Sequence, residues 1–167
     1  MRRPTAQPLT FVGVTIYLVR HAQAGSRHTW KGDDFHRPLS AKGIRQVAGL
    51  VDAFGDRPIT RVLSSPLVRC VQTVEPIAQR HGIEVEPSDL MAERAPTSEA
   101  LALIRSLAGT EAMLCSHGDV IPAVISAMAS DGVRVNGRRT AAKGGAYIIE
   151  VEHGDLVSAT YLNPPDR

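Results

Sequence analysis

Three short segments hold the side chains best suited to chemistry on an anion. Arg20-His21 closes an apolar run at residues 14–19, Arg69 follows Ser64-Ser65-Pro66, and Ser116-His117-Gly118 follows the apolar Met113-Leu114-Cys115. A guanidinium offers a planar fork of N–H donors that matches phosphoryl oxygens, and a neutral imidazole can attack phosphorus. Two arginines and two histidines in one place would therefore make a phosphoryl-handling site. The segment 23–37 adds Arg27, His28, Trp30, Lys31, Asp33, Asp34 and His36. There Arg27 is a candidate extra anion contact, and Trp30 is either a stacking surface for a substrate or, more in keeping with its size, a pin holding the loop to the core. His28, His36, His81 and His153 have no neighbours at metal-ligand spacing, so no metal site is expected. The glycines form no nucleotide-binding fingerprint.

These groups cooperate only if the fold carries them to one edge. Val14-Thr15-Ile16-Tyr17-Leu18-Val19 is β-branched and continuously apolar, as a strand covered on both faces should be. Residues 59–63 and 113–115 read as further buried strands, and 83–85 as a short extended piece before the irregular stretch 90–96. Ser40 caps a helix running to Phe54-Gly55 with Ile44, Val47, Ala48 and Val51 inward, and Gly43 stands where a capping box would place Glu or Gln. Ser64-Ser65-Pro66 supplies a turn, a cap and a first-turn proline for a helix whose inward stripe is Leu67, Val71, Val74, Ile77 and Ala78. Ser98 or Thr97 caps a third helix burying Leu101, Ile104 and Leu107, and residues 120–128 form a fourth that tolerates Pro122 in its first turn. Gly144-Gly145 then breaks the chain before two strands joined by a turn at residues 152–155. The expected architecture is α/β, three layers, with a mainly parallel central sheet, helices on both faces and a terminal hairpin edge. In such a sheet ligands bind beyond the carboxyl ends of the strands, where Arg20, His21, Arg69 and His117 all fall.

The 167 residues, 43% hydrophobic and 22% charged, fit one globular domain: a loose leader at 1–12 and a single domain over 13–167. A net charge of +2 is too small for a nucleic-acid binder that relies on bulk electrostatics. No run reaches the roughly 18 apolar residues of a membrane helix. Residues 1–45, however, hold eight basic side chains against Asp33 and Asp34, which points to a local anion site. Cys70 and Cys115 are too few for a disulfide framework, and a reducing cytoplasm is expected. Met1-Arg2-Arg3, the apolar stretch 9–19 and Ala22-Gln23-Ala24 imitate a secretory leader. The β-branched character of that stretch and the interruption by Arg20-His21 favour a strand instead.

The chain resembles the histidine phosphatase superfamily, which includes phosphoglycerate mutases and acid phosphatases. The matching pieces are Leu18-Val19-Arg20-His21-Ala22, the run from Arg37-Pro38-Leu39-Ser40 to Arg45-Gln46, the run from Ser64-Ser65-Pro66 to Gln72-Thr73, and Ser116-His117-Gly118, in the family's order. The resemblance implies a phosphoglycerate mutase-like fold, His21 as the nucleophile that becomes phosphorylated, and Arg20, Arg69 and His117 holding the phosphoryl oxygens. Backbone N–H groups near Gly118 would add to the anion pocket. Glu93 stands where many members carry the acid that protonates the leaving group, or else is a solvated loop carboxylate beside Arg94. Ala22 replaces the usual glycine. The shortness of the chain leaves little room for the insertion that covers the mutase site. It resembles more closely the compact SixA-like branch, including the domain found behind Nudix domains in actinobacterial proteins, to which Gly32-Asp33-Asp34 and Arg37-Pro38-Leu39 are similar.

The leading expectation is a metal-independent phosphatase, without cofactor, acting on phosphohistidine in proteins. A phosphatase for small phosphorylated metabolites such as nucleotides is the second, and a noncatalytic phosphoryl-binding module the third. An intact His21 and His117 argue against the last. Oligomeric state is not legible in the sequence.

Overall fold

The computed structural model describes residues 13–165; the expected leader at 1–12 lies outside them. Seven strands, β1 (Val14–Arg20), β2 (Arg61–Ser64), β3 (Val85–Pro87), β4 (Ala112–Ser116), β5 (Arg134–Asn136), β6 (Ala146–Glu152) and β7 (Asp155–Leu162), form one sheet in the order β3-β2-β4-β1-β6-β7-β5. The pairs β3–β2, β2–β4, β4–β1 and β5–β7 are parallel, while β1–β6 and β6–β7 are antiparallel. The sheet is thus mainly parallel, as expected, but the hairpin β6–β7 lies inside it, between β1 and β5, rather than at its edge. Four helices cover it: α1 (Ala41–Phe54), α2 (Val68–Arg80), α3 (Thr97–Ser106) and α4 (Val120–Ser130).

Strand alternation sorts the core into two layers. Ile16 and Leu18 of β1 and Ala112 and Leu114 of β4 face α3 and α4, where Leu101, Ile104, Ile121, Val124, Ile125 and Met128 are buried. Tyr17, Val19, Met113 and Cys115 face the other way, against Leu50 and Phe54 of α1 and Cys70, Val74 and Ile77 of α2. The β6–β7 turn holds His153 at φ 51° and Gly154 at φ 81°, the left-handed pair that a two-residue hairpin loop requires. No helix among the described residues is long and apolar enough to cross a membrane.

Three local expectations need correction. Ser40 does cap α1, its Oγ accepting from the Gly43 N–H at 3.1 Å, but the helix is rolled about its axis relative to the periodic pattern. Gly43, Gln46, Val47, Leu50 and Phe54 face inward, whereas Ala48 is exposed and Ile44 is 63% exposed. The reason is steric: a Cβ on Gly43 would lie 2.0 Å from the Gln23 carbonyl oxygen, so helix and loop backbones meet at the glycine and Gln46 turns inward. Helix α2 starts at Val68 rather than at Pro66, with Leu67 as N-cap and no capping side chain; its buried face is Arg69, Cys70, Thr73, Val74, Ile77 and Ala78, not Leu67 and Val71. Helix α3 includes Thr97 and Ser98, with Pro96 at its N-cap. Strand β5, three residues with two exposed, had no periodic signature.

Candidate active site

The parallel half of the sheet continues its hydrogen bonding one residue past each strand. The His21 N–H donates to the Ser116 carbonyl at 3.1 Å, Ser65 to Cys115 at 3.0 Å and Ser88 to Ser64 at 2.8 Å. With Arg20 opposite Ser116 and Ser64 opposite Cys115, this stagger fixes His21, Ser65 and His117 side by side at one edge. The His21 and His117 rings lie 5.3 Å apart between centroids, edge to face at 64°.

His21 is 6% exposed, and its Nδ1 lies 2.7 Å from the Ala22 carbonyl oxygen. A carbonyl only accepts, so Nδ1 carries the proton and Nε2 keeps its lone pair. Burial drives the His21 pKa down to about 3, against the Ala22 hydrogen bond, with His117, Arg69 and Arg20 adding to the depression. The ring is therefore neutral, a requirement for a nitrogen nucleophile.

Each cation has its own setting. Arg20 donates from Nη1 to the Ala141 carbonyl at 2.7 Å, and a Cβ on Gly118 would lie 2.6 Å from its Cζ, so glycine lets the backbone lie against the guanidinium. Arg69 is fully buried, reaching the Asp34 carbonyl from Nη1 at 3.0 Å, and Asp34 Oδ2 at 3.1 Å and Glu93 Oε1 at 2.7 Å from Nη2. Glu93 Oε1 also accepts from Arg27 Nη2 at 3.0 Å and lies 3.6 Å from His117 Nδ1. Asp34 accepts from Arg37 Nε at 2.7 Å, and that hydrogen bond, with the fields of Arg69, Arg37 and Arg27, holds its carboxyl below the usual range despite some burial. Arg20 and Arg69 each keep a buried Nε without a partner.

A cavity of about 690 Å³ opens here, of the size that takes a small molecule. Arg20, His21, Arg27, Glu93, His117 and Gly118 are in its wall, so six of the seven site residues expected from sequence come together. Arg69 is not in the wall, because Asp34 and Glu93 cover its guanidinium. Trp30 does not pin its loop to the core: it is 37% exposed, and its Nε1 donates to the Asp33 carbonyl at 3.0 Å, closing its own loop.

Four contributors escaped the sequence reading. Asp34 had a visible signal, the Asp34-x-x-Arg37 spacing that pairs its carboxylate with Arg37, and its hold on Arg69 had none. Ser65 Oγ lies 2.8 Å from His117 Nε2 and Cys70 Sγ 3.4 Å from the same nitrogen, both buried. Gln46 accepts from the Gln23 N–H at 2.9 Å and donates to the Lys143 carbonyl at 3.1 Å, bracing two loops of the cavity. Among the described residues no three His, Cys, Asp or Glu side chains gather as a metal site.

A parallel sheet edge holding a neutral histidine, flanked by a second histidine and two arginines, is the construction of a histidine phosphatase. The model of the histidine phosphatase superfamily (branch 1) matches residues 16–99, and the chain belongs to that family. It is 34% identical over 161 residues to an 8-oxo-(d)GTP phosphatase of Mycolicibacterium smegmatis, a match covering 92% of this chain and 49% of that protein. An uncharacterized protein of Mycobacterium tuberculosis is 40% identical over 86 residues, covering 48% of this chain and 40% of its own. The chain thus spans about half the length, or less, of these curated relatives. Among solved structures, an Agrobacterium tumefaciens protein provisionally named as the phosphohistidine phosphatase SixA superposes with a TM-score of 0.67 at 25% identity, over 90% of this chain and 99% of that one. The protein histidine phosphatase SixA complexed with tungstate gives 0.66 at 19% identity, covering 89% and 94%, a likeness of fold.

Proposed function

We propose that the protein is a phosphatase that works through a phosphorylated His21, without a metal ion, and that its substrate is phosphohistidine on proteins. The observation that carries the mechanism is the buried, neutral His21 ring, its Nδ1 proton fixed on Ala22 and Nε2 left to react. Nε2 forms a bond to phosphorus as the bond to the leaving group breaks in line; water then attacks the phosphohistidine, releasing inorganic phosphate and restoring His21. Arg20, Arg69, His117 and the Gly118 N–H stabilise the charge on the equatorial oxygens. Glu93 supplies the leaving-group proton where one is needed. Positive charge from arginines supports a reaction that needs no Lewis acid.

For the substrate, the cavity rim is informative. Ser26, Arg27, His28, Arg94 and Lys143 in its wall are all exposed, which suits a phosphoryl group presented on another protein's surface. Among the described residues, none of those lining the cavity is a Trp, Tyr or Phe on which a base could stack. A nucleotide substrate is the second reading, favoured by the relative named an 8-oxo-(d)GTP phosphatase.

The test is turnover measured in parallel on a phosphohistidine protein, on nucleoside di- and triphosphates including the 8-oxo forms, and on sugar phosphates, each with and without excess EDTA. Phosphohistidine should give the highest kcat/KM, unchanged by EDTA. A faster nucleotide reaction would install the second reading, and activity restored only by a divalent ion would end the metal-free mechanism.

A further inference from the structure

Two carboxylates share the Arg69 guanidinium in this structure: Glu93 Oε1 accepts from Nη2 at 2.7 Å, and Asp34 takes further donors of the fork. The carboxylate and backbone carbonyl of Asp34 meet Nη2 and Nη1 at 3.1 and 3.0 Å, a two-point grip of the kind that suits a phosphoryl group. The two partners differ in freedom. Arg69 is fully buried, whereas the Asp34 side chain is 42% exposed and stands on a three-residue 3-10 turn, residues 34–36, with no buried residue. Asp34 also has somewhere to go: Arg37 Nε holds its other oxygen at 2.7 Å, and Arg27 Nε lies 3.9 Å away. Arg37 is itself anchored, nearly buried and donating to the Gly25 carbonyl at 2.7 Å.

We propose that Asp34 competes with the phosphoryl group for the Arg69 guanidinium, so that binding begins with release of Asp34 and movement of loop 26–37, and selects dianionic phosphoryl groups over singly charged phosphodiesters. This rests on the reading above that Arg69 binds the phosphoryl oxygens. A dianion with three free oxygens replaces both contacts that Asp34 gives up. A phosphodiester brings one negative charge and two free oxygens, too little to displace a carboxylate already in place.

The loop carries its own reporter, because Trp30 is the one tryptophan of the chain and donates to the Asp33 carbonyl, next to Asp34. Vanadate inhibition of phosphatase activity and Trp30 emission would be measured for the wild type, Asp34→Asn and, as a smaller neutral replacement, Asp34→Ser. Both variants should bind vanadate more tightly, on the order of tenfold. They should also narrow the ratio of monoester to diester hydrolysis, and saturating vanadate should change Trp30 emission in the wild type. Unchanged or weaker vanadate binding in both variants would overturn the proposal and make Asp34 a fixed positioning residue, and so would a Trp30 signal indifferent to vanadate. Arg69→Ala separates the two levels: vanadate binding unaffected by its loss removes Arg69 from the phosphoryl site. Binding weakened by Arg69→Ala but not tightened at Asp34 removes the competition alone.

Discussion

The four strands β3, β2, β4 and β1 and the three strands β6, β7 and β5 belong to one sheet but serve it differently. In the first group every strand runs the same way, so all carboxyl ends lie at one edge and the residues that follow them, His21, Ser65 with Arg69, and His117, meet there. In the second group, β6 and β7 form a hairpin whose direction alternates. Its contribution at that edge is mostly backbone: the Gly145 carbonyl accepts from the Arg20 N–H at 2.9 Å, and the Gly144 N–H donates to the Arg20 and His21 carbonyls. Parallel strands thus collect side chains, while the hairpin holds the collected residues in place.

Five changes probe that division, taken from the largest expected effect. His21→Ala should lower kcat/KM by roughly 10⁴-fold or more and abolish the phosphoenzyme seen by mass spectrometry after acid-free quenching. Turnover near the wild-type rate would break the parallel half's claim to the chemistry. Arg69→Lys keeps the charge and loses the fork, and should cost on the order of a hundredfold in kcat/KM on a dianionic substrate.

Glu93→Gln separates substrates. Imidazole leaves readily once protonated, whereas an alkoxide needs a proton as its bond breaks. Phosphohistidine turnover should barely change while ester hydrolysis falls by about a hundredfold; equal losses on both would make Glu93 a shaping residue that holds Arg69 and Arg27.

Acid stability comes next. Because the folded pKa of His21, about 3, lies below its ordinary 6.5, the unfolded chain binds a proton between those values that the folded chain refuses. His21 therefore withdraws stability as pH falls from 6.5 towards 3. In denaturant titrations His21→Gln should lose about 2–3 kcal/mol less than the wild type between pH 7 and pH 4.5. The smallest effect belongs to the hairpin: Gly154→Ala, at φ 81°, should lower stability by about 1 kcal/mol and leave kcat/KM unchanged, as a turn remote from the chemistry requires.

Sequence legibility followed the same division. Strands β1 and β4 were readable because a sheet buried on both faces demands unbroken apolar runs, and the proximity of His21 and His117 was readable because each directly follows one of those strands. The roll of α1 was not, since Gly43 meets the Gln23 carbonyl only through tertiary packing, which overrides the placement of Ile44 that periodicity favours. Asp34 on Arg69 and Cys70 beside His117 depend on a loop path and a helix start that no local pattern encodes. Arg69 was found by motif, yet its burial beneath two carboxylates was not foreseeable from charge spacing.

Strand β1 also sets a timetable for folding. It pairs on one side with residues 112–116 and on the other with residues 146–151, so both neighbours of the central strand come from the far part of the chain. During synthesis an apolar, β-branched segment must wait, with both edges unpaired, until most of the chain has emerged. Contacts so distant in sequence slow folding and lengthen exposure to aggregation. The same wait delays the site, because His21 acquires its neighbour His117 only when β1 and β4 close, and a partly made chain holds that histidine with no cavity around it.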